Sequence, residues 1–354
     1  MSWGKNIRLS VFGESHGEAI GVVMEGVKAG LKLDMGGIQS QMARRAPGKA
    51  LGTKRSEADT VRILSGVYRG YTQGTPIAAV IENTDQRSGD YEKLANTPRP
   101  SHADFGAYVK YGGFADMRGG GHFSGRLTAP LVFAGAVAMQ ALAKKGITVA
   151  GRLYMAGGVY DGQMEHTAET AKILNLKDFP VLFNTSAENM KKAMEDAREA
   201  GDSIGGIAEV FAVGVPKGLG GPLFEGAEGI IASLLFSIPG VKGVEFGGGF
   251  SLSSMKGSEA NDAFTAGPDG CAAQKTNNSG GILGGITAGN AIVARAAFKP
   301  TASIALEQDT VDLTENKPAR IKITGRHDPC IALRGVFAAQ SCLAIALLDL
   351  MTEA

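Results

Sequence analysis

Cysteine is scarce. The three present, Cys271, Cys330 and Cys342, are odd in number and show no Cys-x-x-Cys spacing, so neither a disulfide framework nor a zinc site is expected and no metal is called for. Aromatic residues make up 6% of the chain and Trp3 is its single tryptophan, which leaves no stacking platform for nucleic-acid bases. Net charge is nearly absent, +1 over 354 residues, and no overall field points to nucleic acid or a membrane. Long apolar runs are missing as well. Leu127 to Ala143 and Gly335 to Leu348 are short for membrane spans, contain glutamine, and read as core helices. The start, Met1 to Arg8, has no apolar core behind its charges, so no signal peptide is expected and a reducing cytoplasm is the predicted location.

What is plentiful is glycine, 51 residues gathered in clusters without a fixed repeat, which predicts shaped loops rather than a fibre. The sharpest cluster is Arg118-Gly-Gly-Gly-His-Phe-Ser-Gly-Arg126. Three residues without Cβ allow φ > 0 and turn successive N–H groups toward an anion. A helix-like run with Pro130 in its first turn follows, closed by Lys144-Lys-Gly146. A glycine loop feeding a buried helix N-terminus suits a phosphate; a tight turn before a core helix is the plainer alternative.

Ile7, Leu9 and Val11 alternate with polar residues and predict a strand, followed by Gly13-Glu-Ser-His-Gly17 and a second strand over Ile20 to Met24. A Gly-x-Ser-x-Gly nucleophile elbow needs a helix after the turn, so serine hydrolysis is set aside. His16 is either a turn histidine or a proton donor. Asp34 can cap a helix over Ile38 to Arg45, ended by Pro47-Gly48, with Arg44 and Arg45 at its end. Lys49, Lys54 and Arg55 continue the basic run. Arginine forks in such a run suit carboxylates and phosphates, if they line a cleft. In Thr97-Pro-Arg-Pro-Ser-His-Ala-Asp104 two prolines stiffen the chain ahead of His102, as a proton-transfer site would want.

The middle of the chain predicts scaffold: a strand from Ile147 to Tyr160, an exposed and uninvolved His166, a capping box at Thr185-Ser-Ala-Glu188, and a strand from Gly205 to Val215. The last third predicts a helix over Ala227 to Ile238 ending at Pro239-Gly240, a glycine-interrupted strand over Val241 to Ser253, and a strand from Arg320 to Gly325. Arg326-His-Asp-Pro-Cys330 then opens the C-terminal helix, with Asp328 placed as its N-cap; a cap needs no catalytic role, and Arg326 and His327 are what a cap leaves unexplained. No linker or low-complexity tract interrupts the chain, and residues 1–354 read as one interleaved domain.

Four segments taken together, Gly13 to Gly17, Arg99 to Asp104, Arg118 to Arg126 and Arg326 to Cys330, resemble the chorismate synthase family in order and spacing. Ile81-Glu-Asn-Thr-Asp-Gln-Arg87, Gly280-Gly-Ile-Leu-Gly-Gly285 and Lys299-Pro-Thr301 agree with it, and the resemblance spans nearly the whole chain. It implies an α+β fold, a single-domain β-α-β sandwich with helices between two antiparallel sheets, assembled as a homotetramer. It implies 1,4-anti elimination of phosphate from 5-enolpyruvylshikimate 3-phosphate to give chorismate, with reduced FMN and no net redox change. Three catalytic roles come with it. His16 protonates the departing phosphate, His102 protonates reduced FMN, and Asp328 helps the flavin N5 proton leave. The implied FMN contacts are His122, Phe123, Ser124, Pro239, Gly240, Gly284, Lys299, Pro300, Thr301, Ala302, Ser303 and Arg326. Arg44, Arg45, Arg118 and Arg126 are the implied clamp for substrate or NADPH.

The sequence departs from the family's common Arg-Ser-Ser-Ala-Arg at His122-Phe-Ser-Gly-Arg126, and carries Leu51 where many members place arginine. NADPH and an external flavin reductase are the two candidate sources of reducing power, and the outside source is favoured. A redox flavoprotein would need neither the arginine density nor both histidines. A non-catalytic phosphate- or flavin-sensing module would need only the glycine loops.

Overall fold

The computed structural model describes residues 2–46, 59–84, 96–267, 270–323 and 328–352. Strands β1 (Arg8–Gly13), β2 (Ala19–Glu25), β3 (Val61–Ser65) and β4 (Ile77–Glu82) form an antiparallel sheet in the order β1-β2-β4-β3. A second antiparallel sheet contains β5 (Thr148–Ala156), β6 (Val159–Tyr160), β7 (Gly206–Val213), β8 (Val241–Phe246) and β9 (Ile292–Phe298), ordered β8-β9-β7-β5-β6.

Between the sheets lie α3 (Thr128–Ala143) and α7 (Ala332–Thr352), packed on each other, α3 against the first sheet and α7 against the second. This is the expected β-α-β layering. Both helices are apolar on nearly every face, as a helix covered on all sides must be. Against the expectation from sequence, the helical runs Gly125–Ala143 and Ala332–Met351 are long and apolar enough to cross a membrane, yet most of each is buried within the protein, as in core helices. Their close crossing depends on Gly135, where a Cβ would stand 2.2 Å from the Cβ of Ser341. Helix α1 (Met35–Arg45) packs on both, α2 (Asp104–Lys110) follows the segment of His102, and α6 (Ala227–Ser237) covers α7 and β8.

Several sequence expectations shift. The strand expected over Ile147 to Tyr160 folds back at Gly157 and Gly158, both with positive φ, to make the β5–β6 hairpin. The expected strand to Ser253 stops at Phe246, because Gly247 turns with φ of 55°. Among the described residues the last strand is Lys317–Ile321, which starts three residues before the expected Arg320; residues 324–327, with the expected end at Gly325, lie outside the described residues. Helix α5 (Asn184–Glu199) begins with Phe183 as N-cap, so Thr185 is already inside it. The carboxylate of Asp161 accepts the N–H groups of Leu182 and Phe183 and fixes the start of that helix. The capping box belongs instead to Thr167 and Thr170, opening α4 (Ala168–Asn175).

His166 is not a bystander at the surface. Its Nε2 stands 3.2 Å from Glu209 Oε1, and its ring meets Phe211 edge-on with centroids 4.9 Å apart. Glu209 is fully buried between Arg152 and Arg295, its directly opposed neighbours on β5 and β9, each at 2.8 Å. Burial alone would raise the Glu209 carboxyl; the His166 hydrogen bond and the two arginine charges outweigh it and hold the group at about 2.

Candidate functional site

A turn and a loop are joined at the end of the first sheet. β1 ends at Gly13, with φ of 93°, and the turn to β2 carries Ser15 and His16. The glycine loop docks on this turn at two points: Ser15 N–H donates to the Gly121 carbonyl at 3.1 Å, and His122 Nδ1 donates to the Gly13 carbonyl at 2.9 Å. Gly119, Gly120 and Gly121 have φ of 61°, 90° and 54°, the left-handed conformation that the triplet predicts.

The loop also sets two histidines. A Cβ on Gly119 would lie 2.4 Å from His16 Cδ2 and 2.5 Å from Nε2. One on Gly120 would lie 3.4 Å from His102 Cε1 and Nε2. The two rings therefore pack on consecutive glycines. His16 is 7% exposed, with Gly119 of the loop against its ring.

His102 is held from its other side. Its Nδ1 is 2.6 Å from Asp104 Oδ1, so that nitrogen carries the proton and Nε2 remains for the cavity. Arg99 clamps the same carboxylate with two bonds of 2.7 Å, and donates to Ser303 Oγ at 3.4 Å. Burial pushes the Asp104 carboxyl up, but the bonds and charges of Arg99 and His102 prevail and hold it well below the usual range. Lys299 Nζ donates to the Ser101 carbonyl, linking this segment to the end of β9. Its ammonium is pulled below its ordinary value by burial and by the charge of Lys242.

These groups line a cavity of about 1030 Å³. It gathers His16, His102, His122, Phe123, Ser124, Arg126, Pro239, Gly240, the run Lys299 to Ser303, and Asp328. Asp328 is not the N-cap of α7, which begins four residues later at Ala332. Its Oδ2 accepts from Arg334 Nη1 at 2.8 Å instead.

Four of the proposed binding residues lie elsewhere. Arg44 packs over Phe337 at 4.5 Å and donates to the carbonyls of Leu174 (2.9 Å) and Lys177 (3.2 Å), while burial lowers its guanidinium to about 10. Arg45 is fully buried, paired with Asp59 and donating to Thr128 Oγ1 at 3.1 Å; burial pulls it down to about 9 against the raising effect of Asp59. Arg118 is exposed and paired with Asp116 at 2.7 Å. Gly284 sits in a hairpin beside Gly285, whose carbonyl accepts the Ala227 N–H at 2.9 Å at the start of α6. Arg326, with Lys49, Leu51, Lys54, Arg55 and Arg87, falls outside the described residues.

Arg126 does reach the cavity, and its guanidinium is supported from behind by Asp59, by Asn83 Oδ1 at 3.0 Å and by the Glu82 carbonyl at 3.3 Å. Asp59 thus serves Arg45 and Arg126 together. Asp59, Asp104 and Arg334 are functional neighbours that the sequence motifs do not single out. Only Asp104 left a signal, in the Arg-x-x-His-x-Asp spacing of Arg99 to Asp104.

Comparison with known proteins gives one answer. The family model described as chorismate synthase matches residues 7–352. The chain is 46% identical over 346 residues to the chorismate synthase of Thermococcus kodakarensis, covering 98% of this chain and 96% of that protein. It is 47% identical over 349 residues to that of Korarchaeum cryptofilum, with the same coverage of 98% and 96%. A crystal structure of chorismate synthase superposes with a TM-score of 0.78 at 28% identity, covering 99% of this chain and 93% of that one. With the layered fold and the paired histidines already in view, the chain belongs to the chorismate synthase family.

Proposed function

We propose that this chain eliminates phosphate from 5-enolpyruvylshikimate 3-phosphate to give chorismate, with reduced FMN as cofactor. In the balanced reaction a ring C–H bond and the C–O bond to phosphate break and a second ring double bond forms. A proton and inorganic phosphate leave. The observation that carries this reading is the packing of His16 and His102 on consecutive glycines of one loop, both lining a cavity that Asp328 also lines.

The cavity, about 1030 Å³, is at the upper end of the roughly 300–1,000 Å³ range of small-molecule sites. Phe123, Ser124, Pro239, Gly240 and Lys299 to Ser303 are the residues that would hold FMN. Gly240, with φ of 90°, leaves no room for a Cβ, which would lie 2.6 Å from Ile331 Cδ1. Reduced FMN, when bound, supplies electron density to the eliminating ring system without net redox change.

The chain's own residues supply charge and protons. Arg126 and Lys299 bring cationic charge to the cavity wall, and Arg45 holds Arg126 in place through their shared Asp59. An anion bound near an imidazole favours its protonated form, so His16 on the phosphate side is the residue to give a proton to the leaving group. His102, with Nδ1 fixed on Asp104, presents Nε2 for proton transfer at the cofactor. Asp328 accepts a proton as the ring hydrogen departs.

Anaerobic turnover with dithionite-reduced FMN tests the reading. Chorismate and phosphate should appear in equal amounts, strictly dependent on reduced flavin and with no net flavin oxidation. Folded, FMN-binding protein that yields no chorismate would overturn it. Replacing dithionite by NADPH separates an intrinsic reductase activity from dependence on an outside flavin reductase. A homotetramer belongs to the same proposal. The nearly full exposure of Phe114, Leu223, Phe224 and Phe250 supports subunit contacts, and light scattering on the purified protein tests it.

A further inference from the structure

Arg334 lines the cavity beside Asp328 and has no part in the reaction as described so far. It lies in the first turn of α7, and its guanidinium is fixed at two points. Nη1 donates to Asp328 Oδ2 at 2.8 Å, and Nε donates to the carbonyl of Arg45 at 3.1 Å. Arg45 is the last residue of α1, and carbonyls at a helix C-terminus lack intrahelical partners. The second bond therefore anchors the guanidinium to the end of a helix that is itself packed in the core. Asp328 belongs to no helix or strand, and its backbone carbonyl accepts from Thr301 Oγ1 at 2.9 Å.

We infer that Arg334 is the positioning residue for Asp328: it fixes the orientation in which the cavity-lining carboxylate meets the bound ligands as proton acceptor. This rests on the reading of Asp328 as the base. An aspartate's terminal torsion is broad and two-fold, so a carboxylate without a fixed partner spreads over orientations. A charge-assisted bond from a guanidinium removes that freedom. The pair is formally neutral, and the arginine's fork is already turned toward Asp328 and Arg45. It is therefore better suited to orient the carboxylate than to clamp a substrate anion.

The test is a double-mutant cycle in the full chain with reduced FMN, reading kcat, KM for 5-enolpyruvylshikimate 3-phosphate, and FMN Kd. Arg334→Gln should lower kcat by about 10- to 100-fold, with KM and Kd within about threefold, because the loss is confined to the chemical step. Arg334→Lys should recover part of that loss. Added to Asp328→Asn, Arg334→Gln should cost less than about a further twofold in kcat, since the residue it acts through is already disabled. Losses that multiply in the double variant, or a raised KM at unchanged kcat, would mean that Arg334 meets substrate directly and would overturn the inference. Wild-type turnover by Asp328→Asn would remove the base assignment and this inference with it. A slow Asp328→Asn beside a normal Arg334→Gln would remove only the positioning role. Should Arg334→Gln fail to fold, the cycle run with Arg334→Lys reads the same coupling.

Discussion

Adding one methyl group to Gly119 should disable the enzyme without unfolding it. A Cβ there would stand 2.4 Å from His16 Cδ2, where ordinary contact begins at 3.4 Å, so the imidazole must retreat by about 1 Å. A misplacement of that size costs on the order of 10²-fold in rate, or about 2.7 kcal/mol of transition-state stabilisation. The backbone adds its own penalty, because φ of 61° at Gly119 costs an alanine about 1–2 kcal/mol of stability. Two neighbours separate these effects. Gly120→Ala carries a comparable backbone penalty at φ of 90°, but its Cβ meets His102 at 3.4 Å, an ordinary contact. Gly125→Ala has open space around its Cβ. The assay is anaerobic kcat with reduced FMN, with thermal midpoints and FMN Kd measured on the same preparations. Gly119→Ala and Gly120→Ala should melt together, while Gly119→Ala turns over roughly 30- to 100-fold more slowly than Gly120→Ala. Equal rates in the two would refute the view that the loop sets the position of His16.

Three further outcomes are expected. His16→Ala should cut turnover by about 10²- to 10⁴-fold while FMN Kd stays unchanged; lost flavin binding would contradict its assignment to the phosphate side. Glu209 is held at about 2, below its unfolded value, so its stabilisation is complete above about pH 4.5 and is lost as pH falls toward 2. Glu209→Gln should accordingly lose about 3–5 kcal/mol at neutral pH, because Arg152 and Arg295 are left uncompensated, and the gap to wild type should narrow in acid denaturation over that window. Gly135→Ala should cost about 1–3 kcal/mol by forcing α3 and α7 apart at Ser341, read as a fall of several degrees in Tm with FMN affinity retained in the folded protein.

Much of the site could be read from the sequence because it is written in residue types with few uses. Three glycines in a row predict positive φ, and that conformation is present at Gly119, Gly120 and Gly121. The strand–turn–strand around His16 followed from alternation, and two prolines marked the segment that carries His102. Burial was not legible. Arg44 and Arg45 looked like a ligand clamp in a basic run, but helix α1 turns both inward, where Arg44 stacks over Phe337 and Arg45 pairs with Asp59. Asp328 looked like a cap because it precedes a proline and an apolar run, yet the helix starts only at Ala332 and the carboxylate reaches forward to Arg334 instead. His166 read as exposed since nothing local revealed that Glu209, 43 residues later, would be buried beside it. Each of these turns on a partner distant in sequence, and pairing of that kind leaves no periodicity to read.

The row of charges across the second sheet has a consequence for how this protein can change over time. Arg152, Glu209, Arg295 and Glu245 stand opposite one another on four neighbouring strands, alternating in sign. A slip of one residue in any of the four would turn its charge to the other face and leave its neighbours unmatched. The row therefore records the correct alignment of the sheet in a form that no single substitution can rewrite. Descendants of this chain can abandon it only by exchanging several positions together, and any lineage that has done so should carry an apolar or a reversed set at all four.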